Sequence, residues 1–87
     1  MTKLQVYAWS LCPHCRAAIR WLDEHHIPFD YNEVEEQPPE ILRKIIDVNG
    51  GDDWVVPTLE YNGQWIPGEV FDAARFEEHL KQLGVVR

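Results

Sequence analysis

The sequence predicts an α/β protein in which four strands form one mixed sheet flanked by helices, in the order β-α-β-α-β-β-α. Three observations support this prediction. Stretches rich in β-forming residues alternate with stretches of helical period. A helix connects the first two strands, which makes them parallel. Asn62-Gly63, a dipeptide typical of tight hairpin turns, separates the last two. No repeat or linker divides the 87 residues, so we expect a single domain over residues 1–87.

The first strand is predicted at 4–8, where apolar and polar side chains alternate. A helix then begins at Cys12, with Pro13 at a position where a missing N–H group costs nothing. This helix ends near His25-His26, before Pro28. Its predicted buried stripe has the i, i+3, i+4, i+7 spacing and consists of Cys15, Ala18, Ile19 and Leu22. The stripe turns the second cysteine inward and leaves the first at the exposed tip.

The remaining elements follow from turn and cap residues. Residues 29–34 read as a second strand, and Pro38-Pro39 opens a second helix that runs to about Val48, where an Asn-Gly-Gly stretch stops it. Residues 58–61 and 64–66 form the hairpin. Asp72 caps a last helix that Gly84 ends. The core-facing residues of that helix are Phe76, Leu80 and Leu83.

Composition excludes several classes of function. The formal charge of −7 disfavours nucleic acid, whose phosphates require Lys/Arg patches, and it disfavours an anionic membrane surface. An apolar content of 45% is sufficient for a folded core. No stretch approaches the ~20 apolar residues that span a bilayer, and residues 1–6 carry no apolar signal core. We therefore expect a cytoplasmic location.

The only two cysteines, Cys12 and Cys15, form a Cys-Pro-His-Cys segment at a helix start. In a reducing cytosol a lone Cys-x-x-Cys is more often catalytic or metal-binding than a structural disulfide. The positive end of the helix dipole favours the thiolate of Cys12, the attacking species in thiol–disulfide exchange. Pro13 stiffens the turn, and His14 beside the thiolate is expected to favour the reduced form and raise the reduction potential. This pattern indicates redox chemistry.

With Val56-Pro57-Thr58 before the third strand, the chain resembles the thioredoxin fold, and more closely the glutaredoxins and glutaredoxin-like redoxins, from Leu4 to Leu83. The resemblance implies a dithiol enzyme that reduces protein disulfides or mixed disulfides, with Cys12 as nucleophile and Cys15 as resolving thiol. It also implies a cis Val56-Pro57 bond next to Cys12, where the Val56 backbone pairs with an extended substrate. Leu11, His14, Trp54 and Val56 would form an apolar rim for a partner protein.

The glutathione site of the glutaredoxins is poorly matched. Those proteins usually carry a lysine three residues before the first cysteine, and here that position is Trp9. Their Gly-Gly-x-Asp-Asp-like stretch corresponds to residues 67–71, a Pro-Gly-Glu-Val-Phe run in which Gly68 and Glu69 are the candidate substrate-binding residues. Gln37, Glu69 or Asp72 would substitute only in part.

Other electron donors therefore come into consideration. The Asn-Gly-Gly stretch at 49–51 resembles actinobacterial-type redoxins that use other small thiols, and ribonucleotide-reductase redoxins, which a flavoenzyme reduces directly, are also similar. The expected partners are disulfide-containing client proteins together with a reductase or small thiol. No bound cofactor is needed, glutathione or another low-molecular-weight thiol being a possible reductant. A monomer is the default at this size.

Two other classes of function stay open. A [2Fe–2S] cluster held between two protomers occurs in some glutaredoxins, although Pro13 next to Cys12 disfavours it. A non-catalytic binding module of the same fold is the other, although such modules often lose one cysteine. Zinc bound by both cysteines with His25 and His26 is rejected, because Cys15 and His25 would lie ~15 Å apart on one helix.

Overall fold

The computed structural model describes residues 3–86, so the part of the N-terminal prediction that concerns Met1 and Thr2 lies outside the described residues. The strands are β1 (Leu4–Ala8), β2 (Phe29–Glu33), β3 (Thr58–Tyr61) and β4 (Gln64–Ile66). The helices are α1 (Pro13–Glu24), α2 (Pro39–Val48) and α3 (Ala73–Leu83). This order is the predicted one.

The four strands form one mixed sheet in the order β2-β1-β3-β4. β1 pairs in parallel with β2, with Val6 opposite Tyr31, and antiparallel with β3, with Val6 opposite Leu59. The β3–β4 hairpin turns at Asn62-Gly63, where both residues have the positive φ that such a turn requires. The predicted fold class is confirmed. Because β1 is a central strand, its carboxyl end delivers residues 9–12 to one edge of the sheet.

Helix α1 has Cys12 as its N-cap and Pro13 as its first residue, as predicted. Cys15, Ala18 and Leu22 are buried. Ile19 is only half-buried, so its prediction as part of the fully buried stripe is wrong. It lies at one edge of the apolar stripe, with Ala18 at the opposite edge and Cys15 and Leu22 between them.

The other elements also match the sequence, with one change of boundary. The Asp72 side chain accepts a hydrogen bond from the Arg75 N–H and caps α3, and Gly84 ends α3 in the left-handed conformation. Val34, predicted as the end of the second strand, instead begins a short 3-10 helix (Val34–Glu36). This turn places the fully buried Val34 side chain against α2.

Two apolar clusters cover the two faces of the sheet. Alternation along β1 sends Leu4, Val6 and Ala8 to one face and Tyr7 to the other. The first cluster joins the sheet to α1 and α3, and the second joins it to α2. Within residues 3–86, no helix combines the length and apolar character needed to cross a bilayer.

Candidate active site

The turn between β1 and α1 fixes the position of Cys12. The Cys12 N–H donates to the Trp9 carbonyl at 2.9 Å, and the Arg16 N–H donates to the Cys12 carbonyl at 3.1 Å. The Arg16 guanidinium also donates, through Nε, to the Ser10 carbonyl at 3.3 Å. Bonds to both sides of Cys12 therefore hold its sulfur at the positive end of α1, where a thiolate is stabilised.

The two cysteines have different surroundings. Both are free thiols, Cys12 half-buried and Cys15 only 1% exposed. Burial, which penalises the charged form, raises the pKa of the Cys15 thiol to about 12, and the hydrogen bond with the Cys12 side chain adds to this. The Trp9 backbone acts in the opposite direction but does not reverse the shift. Cys15 therefore holds its proton near neutral pH, and the more accessible sulfur belongs to Cys12.

His14 connects the cysteine segment to the chain before α3. Its Nδ1 accepts a hydrogen bond from the Phe71 N–H at 3.2 Å. A nitrogen that accepts in this way carries no proton, so the ring proton of the neutral imidazole lies on Nε2. The geometry thus gives His14 a structural contact that the sequence did not suggest, and its effect on the reduction potential stays a prediction.

The Val56-Pro57 bond is cis, as the resemblance implied. Pro57 is buried, and the half-buried Val56 packs against both apolar clusters. Cys12 also packs against the first cluster. A β-carbon added to Gly68 would lie 2.7 Å from the Val55 carbonyl carbon and oxygen, so this position requires glycine. The chain before α3 therefore runs directly against the segment that precedes the cis bond.

Exposed apolar side chains border these segments. Leu11, next to Cys12, is 64% exposed, and its place in a docking rim stays a prediction. Trp54 is half-buried and meets the Trp9 ring edge-on at 6.4 Å. Val55 and Val70 are also exposed, at 41% and 68%, and the sequence-based prediction placed neither in the docking rim. In the sequence, only the adjacent residues Val56 and Phe71 indicated that these two valines lie near the site.

Trp9, at the position of the missing lysine, and the predicted substitutes for a glutathione site all have partners within the protein. The Trp9 indole donates to a Glu35 carboxylate oxygen at 3.2 Å. Glu69 binds Arg75 at 3.0 Å and lies 3.2 Å from His79. The other two candidates, Gln37 and Asp72, bond the Glu33 carbonyl and the Arg75 N–H respectively. Each of these side chains therefore has a hydrogen-bonding or ionic partner within the protein.

Glu33, at the end of β2, is a further neighbour of the site. One of its carboxylate oxygens accepts from the Tyr31 hydroxyl at 2.8 Å, and the other accepts from the Ser10 N–H at 3.4 Å. Burial, and after it the bond to Glu33, raises the pKa of Tyr31 to about 12. The side of the site at Trp9 is therefore acidic.

The histidines at the end of α1 lie at the opposite end of that helix from Cys12. The His25 ring stacks on Trp21 with centroids 3.8 Å apart, and its Nδ1 lies 2.8 Å from the Trp21 carbonyl oxygen. In the part of the chain that the structure describes, no three His, Cys, Asp or Glu side chains cluster as metal ligands.

Comparison with known proteins places these features in a family. The sequence model described as "Glutaredoxin" matches residues 4–66, which is most of the chain. This chain belongs to the glutaredoxin family. Members of the family are thiol–disulfide oxidoreductases.

The similar proteins agree with this assignment. The glutaredoxin-like protein NrdH of Lactococcus lactis subsp. lactis is 40% identical over 43 residues, and that of subsp. cremoris is 37% identical over 43 residues. Each match spans 49% of this chain and 58% of the relative. The crystal structure of a glutaredoxin from Archaeoglobus fulgidus superposes with a TM-score of 0.66 at 23% identity, covering 95% of this chain and 86% of that one. It supports the fold.

Proposed function

We propose that this protein is a dithiol oxidoreductase that reduces disulfides, or mixed disulfides, of client proteins. The observation that carries the proposal is the pairing of an accessible Cys12 at a helix N-terminus with a buried Cys15 whose pKa is raised. One thiol is available for attack while the other keeps its proton until it is needed.

The reaction has two exchange steps. In the first, the Cys12 thiolate attacks one sulfur of the client disulfide, the client S–S bond breaks, and the departing sulfur takes a proton from water. In the second, Cys15 loses its proton and attacks the Cys12 sulfur, which releases the remaining client thiol and forms the Cys12–Cys15 disulfide. The Cys15 proton passes to the departing client sulfur, and the Cys12 proton enters the solvent when its thiolate forms. With both protons counted, the client gains two electrons and two protons, and the enzyme loses the same number.

The surroundings of Cys15 suit it to the second step. Part of the rise in its pKa comes from the charge and hydrogen bond of Cys12. Once the Cys12 sulfur is bonded to the client, that charge is gone, and the Cys15 proton is held less tightly. The resolving thiol therefore becomes more reactive only when a mixed disulfide exists.

Client docking uses the segments that border Cys12. In this proposal, Leu11 and Val56 supply apolar contact, and the Val56 backbone pairs with an extended client strand beside Pro57. Gly68 allows the two border segments to approach each other. Glu69, also predicted to bind substrate, contacts Arg75 and His79 within the protein, and its role in binding stays a prediction.

The electron donor in this proposal is a protein reductase or a small thiol other than glutathione. The Trp9–Glu35 pair occupies the place of a carboxylate-binding lysine, and the net charge of −7 repels an anionic tripeptide. The cytoplasmic location stays a prediction.

Two variants test the roles of the cysteines. Cys12→Ser is expected to abolish reduction of a disulfide-bonded peptide. Cys15→Ser is expected to accumulate a covalent enzyme–peptide adduct, seen by non-reducing mass spectrometry, because the first attack occurs and the second does not. An adduct from Cys12→Ser and none from Cys15→Ser would reverse the assignment. No turnover by the wild type together with no adduct from Cys15→Ser would overturn the proposed function.

The donor is tested with the wild-type protein. Reduction of its Cys12–Cys15 disulfide by millimolar glutathione with glutathione reductase is expected to be slow compared with reduction by a dithiol. Fast turnover of a glutathionylated peptide in the glutathione system would show that glutathione is the donor.

A further inference from the structure

Asn49 uses its whole side-chain amide to join three parts of the chain. It lies at the C-cap of α2 and is half-buried. Its Nδ2 donates to the Ile45 carbonyl at 2.8 Å and to the Thr58 hydroxyl at 3.0 Å. Its Oδ1 accepts from the Gly68 N–H at 2.8 Å. Only the first of these bonds belongs to α2, so helix capping does not account for the other two.

Thr58 extends this network across the cis bond. Its side chain is fully buried, and its hydroxyl donates to the Val55 carbonyl at 2.6 Å while accepting from Asn49. One hydroxyl makes both bonds because it has one proton and two lone pairs. Val55 and Thr58 stand on either side of Val56 and Pro57, so the network fixes both ends of the proposed docking segment.

Gly68 brings the second border segment to the same amide. Its N–H is held by Asn49, and its missing β-carbon lets the chain lie against the Val55 carbonyl group. Asn49 therefore bonds to one segment directly and to the other through Thr58. Loss of this amide would leave the Gly68 N–H and the Thr58 hydroxyl without the partner they have here.

We propose that Asn49 is a positioning residue for substrate: it sets the backbone of Val56 for pairing with a client strand, acting through Thr58 and Gly68. The inference rests on the proposed function and adds a residue to its docking step. It separates recognition of an extended client from the chemistry of the two thiols, since none of the Asn49 bonds reaches Cys12 or Cys15.

The test compares two substrates in Asn49→Ala and in Thr58→Val, a nearly isosteric change that removes the hydroxyl. One substrate is an extended peptide with an internal disulfide. The other is the disulfide of 2-mercaptoethanol, which has no backbone to pair. We expect KM for the peptide to rise roughly tenfold, the loss typical of one or two hydrogen bonds. We expect kcat/KM for the small disulfide and the reduction potential to stay unchanged.

Asn32→Ala is the matched control. Asn32 is also half-buried, and its amide bonds Gln5 and the Asp30 carbonyl within the β1–β2 region. It is expected to leave KM for both substrates unchanged. If Asn49→Ala and Thr58→Val lowered kcat/KM equally for the peptide and for the small disulfide, Asn49 would have a general structural role, and the proposal would be overturned.

Amide hydrogen exchange gives a readout that does not depend on activity. The Gly68 N–H is expected to exchange at least roughly tenfold faster in Asn49→Ala than in the wild type, and no faster in Asn32→Ala. Unchanged protection of Gly68 in Asn49→Ala would overturn the network. A wild-type protein that reduces neither disulfide would instead overturn the proposed function.

Discussion

The two faces of the sheet are covered by apolar clusters that differ in their buried side chains. The buried members of the cluster under α1 and α3 are aliphatic side chains and Cys15, apart from Phe76, and four aromatic residues lie partly buried around them: Trp21, Phe29, Tyr61 and Phe71. Among residues 3–86, the cluster under α2 has three buried members, Tyr7, Val34 and Ile45. The partly buried residues around them include Trp9, Trp54 and Trp65. We call these the aliphatic and the aromatic cluster.

The aromatic cluster also carries more polar contacts. The Trp9 indole bonds Glu35, the Lys44 ammonium lies 5.9 Å from the Trp65 ring centroid, and Asn49 bonds across to Thr58. Cys15 belongs to the aliphatic cluster, whereas Val56 packs against both. We therefore assign different roles to the two clusters. The buried thiol depends on the dry aliphatic side, and client recognition depends on the more polar aromatic side.

The largest expected effect concerns the reactivity of the buried thiol. In reduced Cys12→Ser, Cys15 should react with iodoacetamide up to about a thousandfold more slowly than an ordinary thiol at the same pH, because its pKa is raised to about 12. Removing Cys12 also removes its own part of the rise, so the measured factor is expected to be somewhat smaller. The rate should increase about tenfold per pH unit up to the pKa, since the thiolate is the reactive form.

Intact-mass spectrometry of the single-cysteine variants measures this reactivity. Cys15→Ser, which leaves only the accessible Cys12, is the control. Equal alkylation rates in the two variants between pH 7 and 9 would show that the aliphatic cluster does not protect Cys15.

The next effect compares two leucines on opposite faces. Leu80 is fully buried in the aliphatic cluster, and Leu42 is partly buried against the aromatic one. Leu80→Ala is expected to lower the free energy of unfolding by about 2–5 kcal/mol. Leu42→Ala is expected to lower it by roughly half as much, because the Leu42 side chain buries less apolar surface on folding and its removal leaves a smaller cavity. Urea titration of both variants measures the two losses. A Leu42→Ala cost equal to that of Leu80→Ala would remove the distinction in packing.

The sequence predicts the aliphatic side better than the aromatic side. Helical spacing indicated Cys15, Ala18, Leu22 and the inward residues of α3, because one face of each helix meets one face of the sheet. The sequence also predicted the cap of α3 at Asp72, its end at Gly84 and the Asn-Gly hairpin turn. These features depend on the local backbone preferences of single residues. The cis form of Val56-Pro57 came only from family resemblance, since cis bonds make up ~5% of X-Pro bonds.

The aromatic side depends on contacts between residues far apart in sequence. The sequence marks Asn49 as a helix stop, but it does not show that the same amide reaches Thr58 and Gly68. It likewise does not show that Val34 leaves the strand, because an apolar residue after a strand fits either state. The exposed Val55 and Val70 were missed for the same reason, since burial of a loop residue is set by tertiary packing.

The smallest expected effect concerns specificity at Trp9. Replacing this residue with lysine restores the charge that glutaredoxins usually carry there, but Glu35, which bonds Trp9 in the wild type, would pair with the new ammonium group. Trp9→Lys alone should therefore change KM for a glutathionylated peptide very little. The double variant Trp9→Lys/Glu35→Gln should lower it by up to about fivefold, as one exposed charge pair is worth about 1 kcal/mol at most. Glu35→Gln alone is the control, and the gain should shrink at high salt. A full gain from Trp9→Lys alone would show that the acidic side of the site does not contribute to the choice of thiol.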